Sequence, residues 1–244
     1  MMGKVIMSGI VPTLKAPVTG ILASSLAVGS TVKLMEGGTA VEYLVVNQGI
    51  PSNSNLYDAS CDGTWLLRKD IHSNRQWAYS NDNVYTRSAI NTWLNGTFFN
   101  TLGSAEQAAV KQVKIPYCTG GGDTTINSGA NGLSVKAFLL GVYEVGWTTS
   151  DYSLFNVDGA KLEYFISGTG TAADNKRTAK LNGRDQQWMT RTPVGEGNGA
   201  EFVVTSSGSY DTGLSKTSDG VRPALVLPSN ALFDETTLIL KGVA

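Results

Sequence analysis

Residues 218–228 read SDGVRPALVLP, so a full positive charge, Arg222, stands between an Asp-Gly turn and an apolar run with the composition of a buried strand. A guanidinium withdrawn from water costs several kcal/mol unless its donors are paired. Pro223 biases Arg222 to extended backbone and brings no N–H to a ladder, which places the pair where a loop enters an edge or terminal strand. Any fold for this chain must therefore bring carbonyls, a carboxylate, a ligand or water to that one point. The expectation is an anchor, with charge-assisted hydrogen bonds pinning the loop to the core. Arg191, in WMTRTP, stands close to a proline in the same way. The two arginines bracket the loop-rich segment 192–221 and are read together as the anchors of its stems.

What surrounds these anchors is short strands and polar loops. Charged residues make up 16% of the 244, against roughly 25% in an average soluble protein, while Gly, Ser, Thr and Asn abound. A formal net charge of -1 and the lack of a dense Lys/Arg cluster argue against nucleic acid as a partner. No window approaches the length of a membrane-spanning helix, and membrane insertion is not expected. Near the N-terminus SSLA resembles a cleavage site, but Pro12, Lys15 and Pro17 interrupt the apolar stretch before it, which argues against a signal peptide. Cys61 and Cys118 lie far apart and in no C-x-x-C pair, and free thiols are preferred to a single disulfide.

Residues 1–29 mix small, apolar and proline residues without helical period, which predicts an extended arm that pairs with something else and serves assembly or docking. The domain proper is expected over 30–230, with a tail over 231–244. Apolar, β-branched runs at Val32 to Met35 and Val41 to Val46, joined by EGGTA, predict a hairpin with a Gly-Gly turn, and Thr64 to Asp70 a further strand. Two helices follow. Thr86 is placed to cap the first, Ile90, Trp93 and Leu94 share one face, and Asn95-Gly96 ends it. Ser104 and Gln107 have capping-box spacing for the second, over 104–113, with Pro116 stopping any continuation. Lys136 to Trp147 reads as a strand feeding a loop, and the C-terminal half as short strands carrying long loops. No fixed-period repeat points to a solenoid or propeller.

Chemistry-bearing motifs are sparse. His72 is the single histidine and has no Cys, Asp or Glu at ligand spacing, so no metal is expected. No nucleophile elbow, P-loop, dinucleotide fingerprint or H-E-x-x-H occurs, so no catalytic residue and no cofactor is assigned. Glu144, Asp151, Asp158 and Glu163 are carboxylates able to meet in space, but no spacing selects them. Trp147, Tyr152, Phe155, Trp188, Phe202 and Tyr210 are interleaved with Gly, Ser, Asn and Thr, the mixture that recognition loops use.

Taken together, VGSTVKL, EYLVVNQG, GTWLLRKD, SAINTWLNGTFFN, VKQVKIPY, AFLLGVYEVGW, WMTRTP and GVRPALVLP resemble the DUF6273-type domains of phage and prophage structural proteins and bacterial surface proteins. The strongest marks are W-x-x-R-[ST]-P at Trp188 to Pro193 and G-[VI]-R-P-A at Gly220 to Ala224, and the resemblance covers roughly residues 28–230. It implies an α+β, C-type-lectin-like domain: two helices packed on a twisted antiparallel sheet, with long C-terminal loops. The calcium-dependent sugar motifs of true lectins are absent, and Cys61 and Cys118 do not stand where formylglycine chemistry needs its cysteines.

The expected function is a non-enzymatic virion surface protein, such as a tail-fibre tip, receptor-binding or decoration subunit. A bacterial surface adhesin is the alternative, and an enzyme of the formylglycine-generating branch ranks below both. Its partners are expected to be other virion proteins through the arm, a host cell-surface glycan or protein, and further copies of itself. Loops 192–202 and 207–219 are expected to form the recognition face, with Trp188 as apolar floor and Glu196, Asn198, Tyr210 and Asp211 as ligand-binding residues.

Overall fold

The computed structural model of the chain describes residues 19–52, 54–195, 197 and 199–244. The expected Gly-Gly hairpin is present. Thr31–Glu36 and Thr39–Gln48 pair antiparallel around Gly37 and Gly38, whose φ of 54° and 82° suit glycine in a tight primed turn. Thr64–Arg68 continues the meander, and Ala224–Leu227 and Ala137–Phe138 complete a five-stranded antiparallel sheet. A second five-stranded sheet runs in the order Tyr210–Leu214, Ala200–Val204, Trp188–Pro193, Ser218–Val221, Ser73–Gln76. In it Ser218–Val221 lies parallel to Trp188–Pro193, and the other neighbours are antiparallel.

The inner strands of both sheets are buried on two faces, which explains their continuous apolar runs. Trp65, Leu67, Val226, Trp188 and Phe202 enter one core, while their chain neighbours Leu66, Leu225, Leu227, Met189 and Val203 enter the other. The chain crosses from the first sheet to the second between Arg68 and Ser73 and returns between Val221 and Ala224. These crossings lie side by side: the Arg68 N–H donates to the Pro223 carbonyl and the His72 N–H to the Val221 carbonyl, each at 2.8 Å. Arg222 thus stands at a corner between sheets.

The fold expectation is overturned. Strand outweighs helix, 36% against 18%, and it is spread over several small sheets with a parallel pair in one, so a C-type-lectin-like fold with two helices on an antiparallel sheet is not what the chain adopts. The first helical stretch is broken up because Asn, Thr and Gly fill positions where a helix needs strong formers. The first starts at Ala89, with Ser88 rather than Thr86 as its cap. It runs through Asn95-Gly96 as a π-helical turn, Leu94–Phe98, and ends with Phe99–Thr101. The second, Ser104–Ala109, follows Gly103 and stops before Val110, which turns extended to feed the strand Val113–Ile115. Its Glu106 accepts from the Met35 N–H at 2.9 Å and ties it to the hairpin. A third helix, Thr171–Arg177, lies in the half expected to be loops and strands.

Of the expected arm, residues 1–18 lie outside the described residues, while Ile21–Leu22 pairs with Ala231–Phe233 of the same chain. Residues 231–244 are correspondingly more than a tail. Ala231–Phe233 and Leu240–Val243 form strands with Phe233 and Leu240 in the core, and Ile239 bridges to Lys33 beside the hairpin.

Candidate functional site

Arg191 is fully buried and spends all its donors. Its Nη1 and Nη2 grip the Glu144 carboxylate at 2.5 and 2.9 Å, and it donates to the carbonyls of Pro116 (3.0 Å), Leu139 (3.0 Å) and Asp158 (2.6 Å). Glu144 also accepts from the Tyr57 hydroxyl at 2.9 Å and the Gly141 N–H at 3.0 Å. Asp158 Oδ2 accepts from Thr192 Oγ1 at 2.7 Å, and Oδ1 has no partner among the described residues. Backbone must approach closely here: a Cβ on Gly141 would lie 2.6 Å from Asp158 Oδ1, and one on Gly159 2.8 Å from Glu144 Cγ.

Burial opposes the Arg191 charge, and the Glu144 and Asp158 carboxylates more than offset it, holding the guanidinium above its ordinary pKa. Burial pushes the Asp158 carboxyl up to about 6 although Arg191 pulls it down. Sealed from solvent, this hub joins five stretches of chain and offers a substrate no access; it is a clamp. Of the four carboxylates left open by the sequence it unites Glu144 and Asp158. Asp151 caps the local turn at Thr148 and Glu163 faces the Gln48 N–H.

Arg222 is 1% exposed. Its Nε donates to the Arg68 carbonyl at 2.9 Å, its Nη1 reaches the Arg177 carbonyl at 3.5 Å, and the guanidinium lies 5.1 Å from the centre of the Trp188 ring. Among the described residues no carboxylate touches it. Burial lowers its pKa to about 10, with Tyr164 and Asp70 offsetting only part of that cost.

Of the expected recognition residues, the described ones, Trp188, Tyr210 and Asp211, do not form one surface. Trp188 is fully buried because Trp188–Pro193 is an inner strand of the second sheet, and its Nε1 donates to the Arg177 carbonyl at 2.9 Å. The expectation that it floors an outer face is corrected: an outside ligand does not touch it. Tyr210 is half-buried on the edge strand, its hydroxyl donating to the Asp151 carbonyl at 3.1 Å and its ring 5.1 Å from Phe155 and 5.7 Å from Trp147. Asp211, beside it, is exposed and accepts from the Thr212 N–H at 2.7 Å. Glu196 and Asn198 lie outside the described residues.

A groove at another place presents more. Where the chain leaves Ser73–Gln76 and passes to the first helix, a cavity of about 540 Å³ opens between Tyr79, Ser80, Asp82, Arg87, Thr92 and Thr97. A second cavity of about 190 Å³, lined by Asn74, Arg75, Gln76 and Ser218, shares Tyr79, Ala89 and Trp93 with it. Tyr79 is 84% exposed at the junction of the two. Behind it the Arg75 guanidinium lies 4.0 Å from the centre of the Trp93 ring, and the ring of His72 packs edge-on against Trp93 at 5.1 Å and Phe98 at 5.6 Å. His72 is held below its ordinary pKa, by burial first and then by Arg68.

Arg75 Nε and Trp93 Nε1 have no partner among the described residues, so this stack is polar yet unsatisfied. On the rim Arg87 donates to Asp82 at 2.7 Å, and that hydrogen bond keeps the Asp82 carboxyl below its ordinary pKa. A large exposed ring beside uncharged hydroxyls and amides can hold the apolar face of a polar ligand and hydrogen-bond its edge. Nothing in the local sequence RQWAYSND sets Tyr79 apart from the other aromatics. In a strand, two positions from the core residue Trp77 would put Tyr79 on the same, buried face; the strand ends at Gln76, and the irregular backbone after it turns the ring outward.

One further titratable group is sealed inside the second sheet. Glu201 is fully buried, accepts from Ser215 Oγ at 2.9 Å through Oε2, and has no partner for Oε1 among the described residues. Burial raises its pKa to about 8. Cys61 and Cys118 are buried free thiols, each pushed up to about 12 by burial. Among the described residues no three His, Cys, Asp or Glu gather as metal ligands, and no helix is long and apolar enough to cross a membrane.

Residues 62–229 match the family described as Domain of unknown function (DUF6273). No curated protein and no solved structure matches the chain.

Proposed function

We propose that this chain, which belongs to the DUF6273 family, is a non-enzymatic recognition protein that binds a host cell-surface glycan in the groove around Tyr79. The observation that carries the reading is Tyr79 itself, an aromatic ring 84% exposed at the meeting of two cavities and backed by the Arg75–Trp93 stack. An exposed ring set between two cavities with polar groups around it is a ready contact surface for a ligand with one apolar face. A pyranose fits: its C–H face lies on the ring while its hydroxyls meet Ser80, Thr92 and Thr97 on one side and Asn74 and Gln76 on the other. The charged rim pair, Asp82 and Arg87, is already mutually satisfied, which favours a neutral sugar over an ionic ligand.

The setting proposed is the surface of a virion, as a receptor-binding or decoration subunit joined to the particle through its N-terminal segment. The neutral polar composition supports it, as does the sequence resemblance to phage structural domains. The test is attachment of the purified chain to host cells and to a panel of their surface glycans. Tyr79→Ala is expected to weaken binding at least tenfold, which needs only about 1.4 kcal/mol, with melting unchanged. Full binding by Tyr79→Ala, or equal loss on substituting the half-buried Tyr210 alone, moves the site elsewhere.

A further inference from the structure

A third cavity, of about 190 Å³, shares no lining residue with the groove and has Arg222 in its wall. Leu44 and Ala179 give it apolar sides, and Asp70, Tyr164 and Thr178 give it polar ones. Lys69 and Lys180 also border it, but each is engaged at the rim, Lys69 with Glu42 at 2.7 Å and Lys180 with Asp185 at 3.6 Å. The guanidinium has Nε bonded to the Arg68 carbonyl and Nη1 held to the Arg177 carbonyl only at 3.5 Å, and Nη2 has no hydrogen-bond partner among the described residues.

We propose that this cavity is a binding site for a small monocarboxylate, received by the free edge of the Arg222 guanidinium. A guanidinium offers only donors, so its missing partner is an acceptor, and a planar carboxylate matches its fork better than any other small group. Charge-assisted bonds of this kind are roughly twice as strong as neutral ones. The same contact supplies the paired counter-charge that Arg222, unlike Arg191, does not have among the described residues. Asp70 lines the cavity with no ion-pair partner among the described residues and penalises a second negative charge, so a monoanion is favoured over a dianion such as phosphate. The apolar walls suit the short alkyl end of acetate.

The experiment is a titration of the whole chain with sodium acetate at constant ionic strength, followed by amide chemical shifts, with acetamide and inorganic phosphate as parallel probes. Saturable shifts at Leu44, Tyr164, Thr178 and Ala179 with a Kd of order 1 mM are expected for acetate, and weaker or no binding for the other two. Asp70→Asn, on the exposed rim, is expected to tighten acetate about threefold by removing a like charge. Arg222→Met is expected to abolish the shifts. Should that variant fail to fold, the comparison of acetate with acetamide and the Asp70→Asn titration still decide. Acetamide binding as well as acetate, Asp70→Asn weakening or leaving acetate binding unchanged, or no saturation by about 100 mM, each overturns the proposal.

Discussion

Replacing Arg191 by methionine keeps most of the side-chain volume and deletes the charge from the centre of the sealed network. Glu144 then remains buried with only the Tyr57 hydroxyl and the Gly141 N–H to stabilise it, and the carbonyls of Pro116, Leu139 and Asp158 each lose a donor. Breaking a buried ion pair from one side costs about 3–5 kcal/mol, because the surviving charge is left uncompensated. Three stranded carbonyls push the value toward the top of that range. At about 2–4 °C per kcal/mol for a domain of this size, the melting temperature should fall by about 6–20 °C. The assay is thermal unfolding by circular dichroism or calorimetry, on Arg191→Met, Glu144→Gln and the double variant. Glutamine keeps an acceptor for Tyr57 and Gly141 but no charge, so the double variant should melt above Arg191→Met alone. A fall of less than about 3 °C in the single variant, or a double variant as low as the two losses added, would show that the pair is not the clamp inferred from its geometry.

Other expectations follow from single positions. Glu201 titrates at 4.5 when unfolded and about 8 in the fold, so between those values the unfolded chain is ionised while the folded one keeps its proton. Folding then takes up a proton, and stability falls by up to about 1.4 kcal/mol per pH unit across that window and levels off above it. Melting curves of wild type and Glu201→Gln should therefore diverge from about pH 5 to about pH 8, the variant losing less; parallel curves would contradict the assignment. Gly208 has φ of 86°, and a Cβ there would lie 2.1 Å from the Asp174 carbonyl oxygen. Gly208→Ala should cost more than about 1 kcal/mol, and an unchanged melting temperature would reject that steric argument.

Sequence alone predicted what is local. The Gly-Gly turn and its flanking β-branched runs announce the hairpin because both the turn chemistry and the period-two pattern lie within a few residues. The first helix was misjudged at its end since Asn95-Gly96, a stop signal in isolation, is carried through the π-turn with Asn95 satisfied from elsewhere. Its side chain donates to the Ala137 carbonyl at 2.9 Å and accepts from the Lys136 N–H at 2.8 Å, partners that local sequence does not supply. Arg191 was recognisable as an anchor from its place before a proline, but its carboxylate, Glu144, is 47 residues away, and no spacing rule selects it from four candidates. Trp188 was misplaced because an aromatic beside a loop and one on an inner strand look alike until the strand order is known. Tyr79 was missed for the converse reason: its exposure is a fact of tertiary structure.

The two crossings at Arg68–Ser73 and Val221–Ala224 also bear on how the molecule is made. The bond from Arg222 Nε to the Arg68 carbonyl spans 154 residues of sequence, and Ser73–Gln76 finds its neighbour in the second sheet only when Ser218–Val221 arrives. Closing so long a loop must be paid for in entropy before any of its contacts contribute, and chains dominated by such pairings fold slowly. On a ribosome the hairpin and Thr64–Arg68 can form early as a three-stranded meander, yet one long edge of it stays bare until Ala224–Leu227 is translated. For that interval a nascent chain carries an unpaired apolar strand, the condition under which strands from neighbouring polysomes pair wrongly. Expression yield should therefore depend on translation rate and temperature more steeply than the stability of the finished protein would suggest.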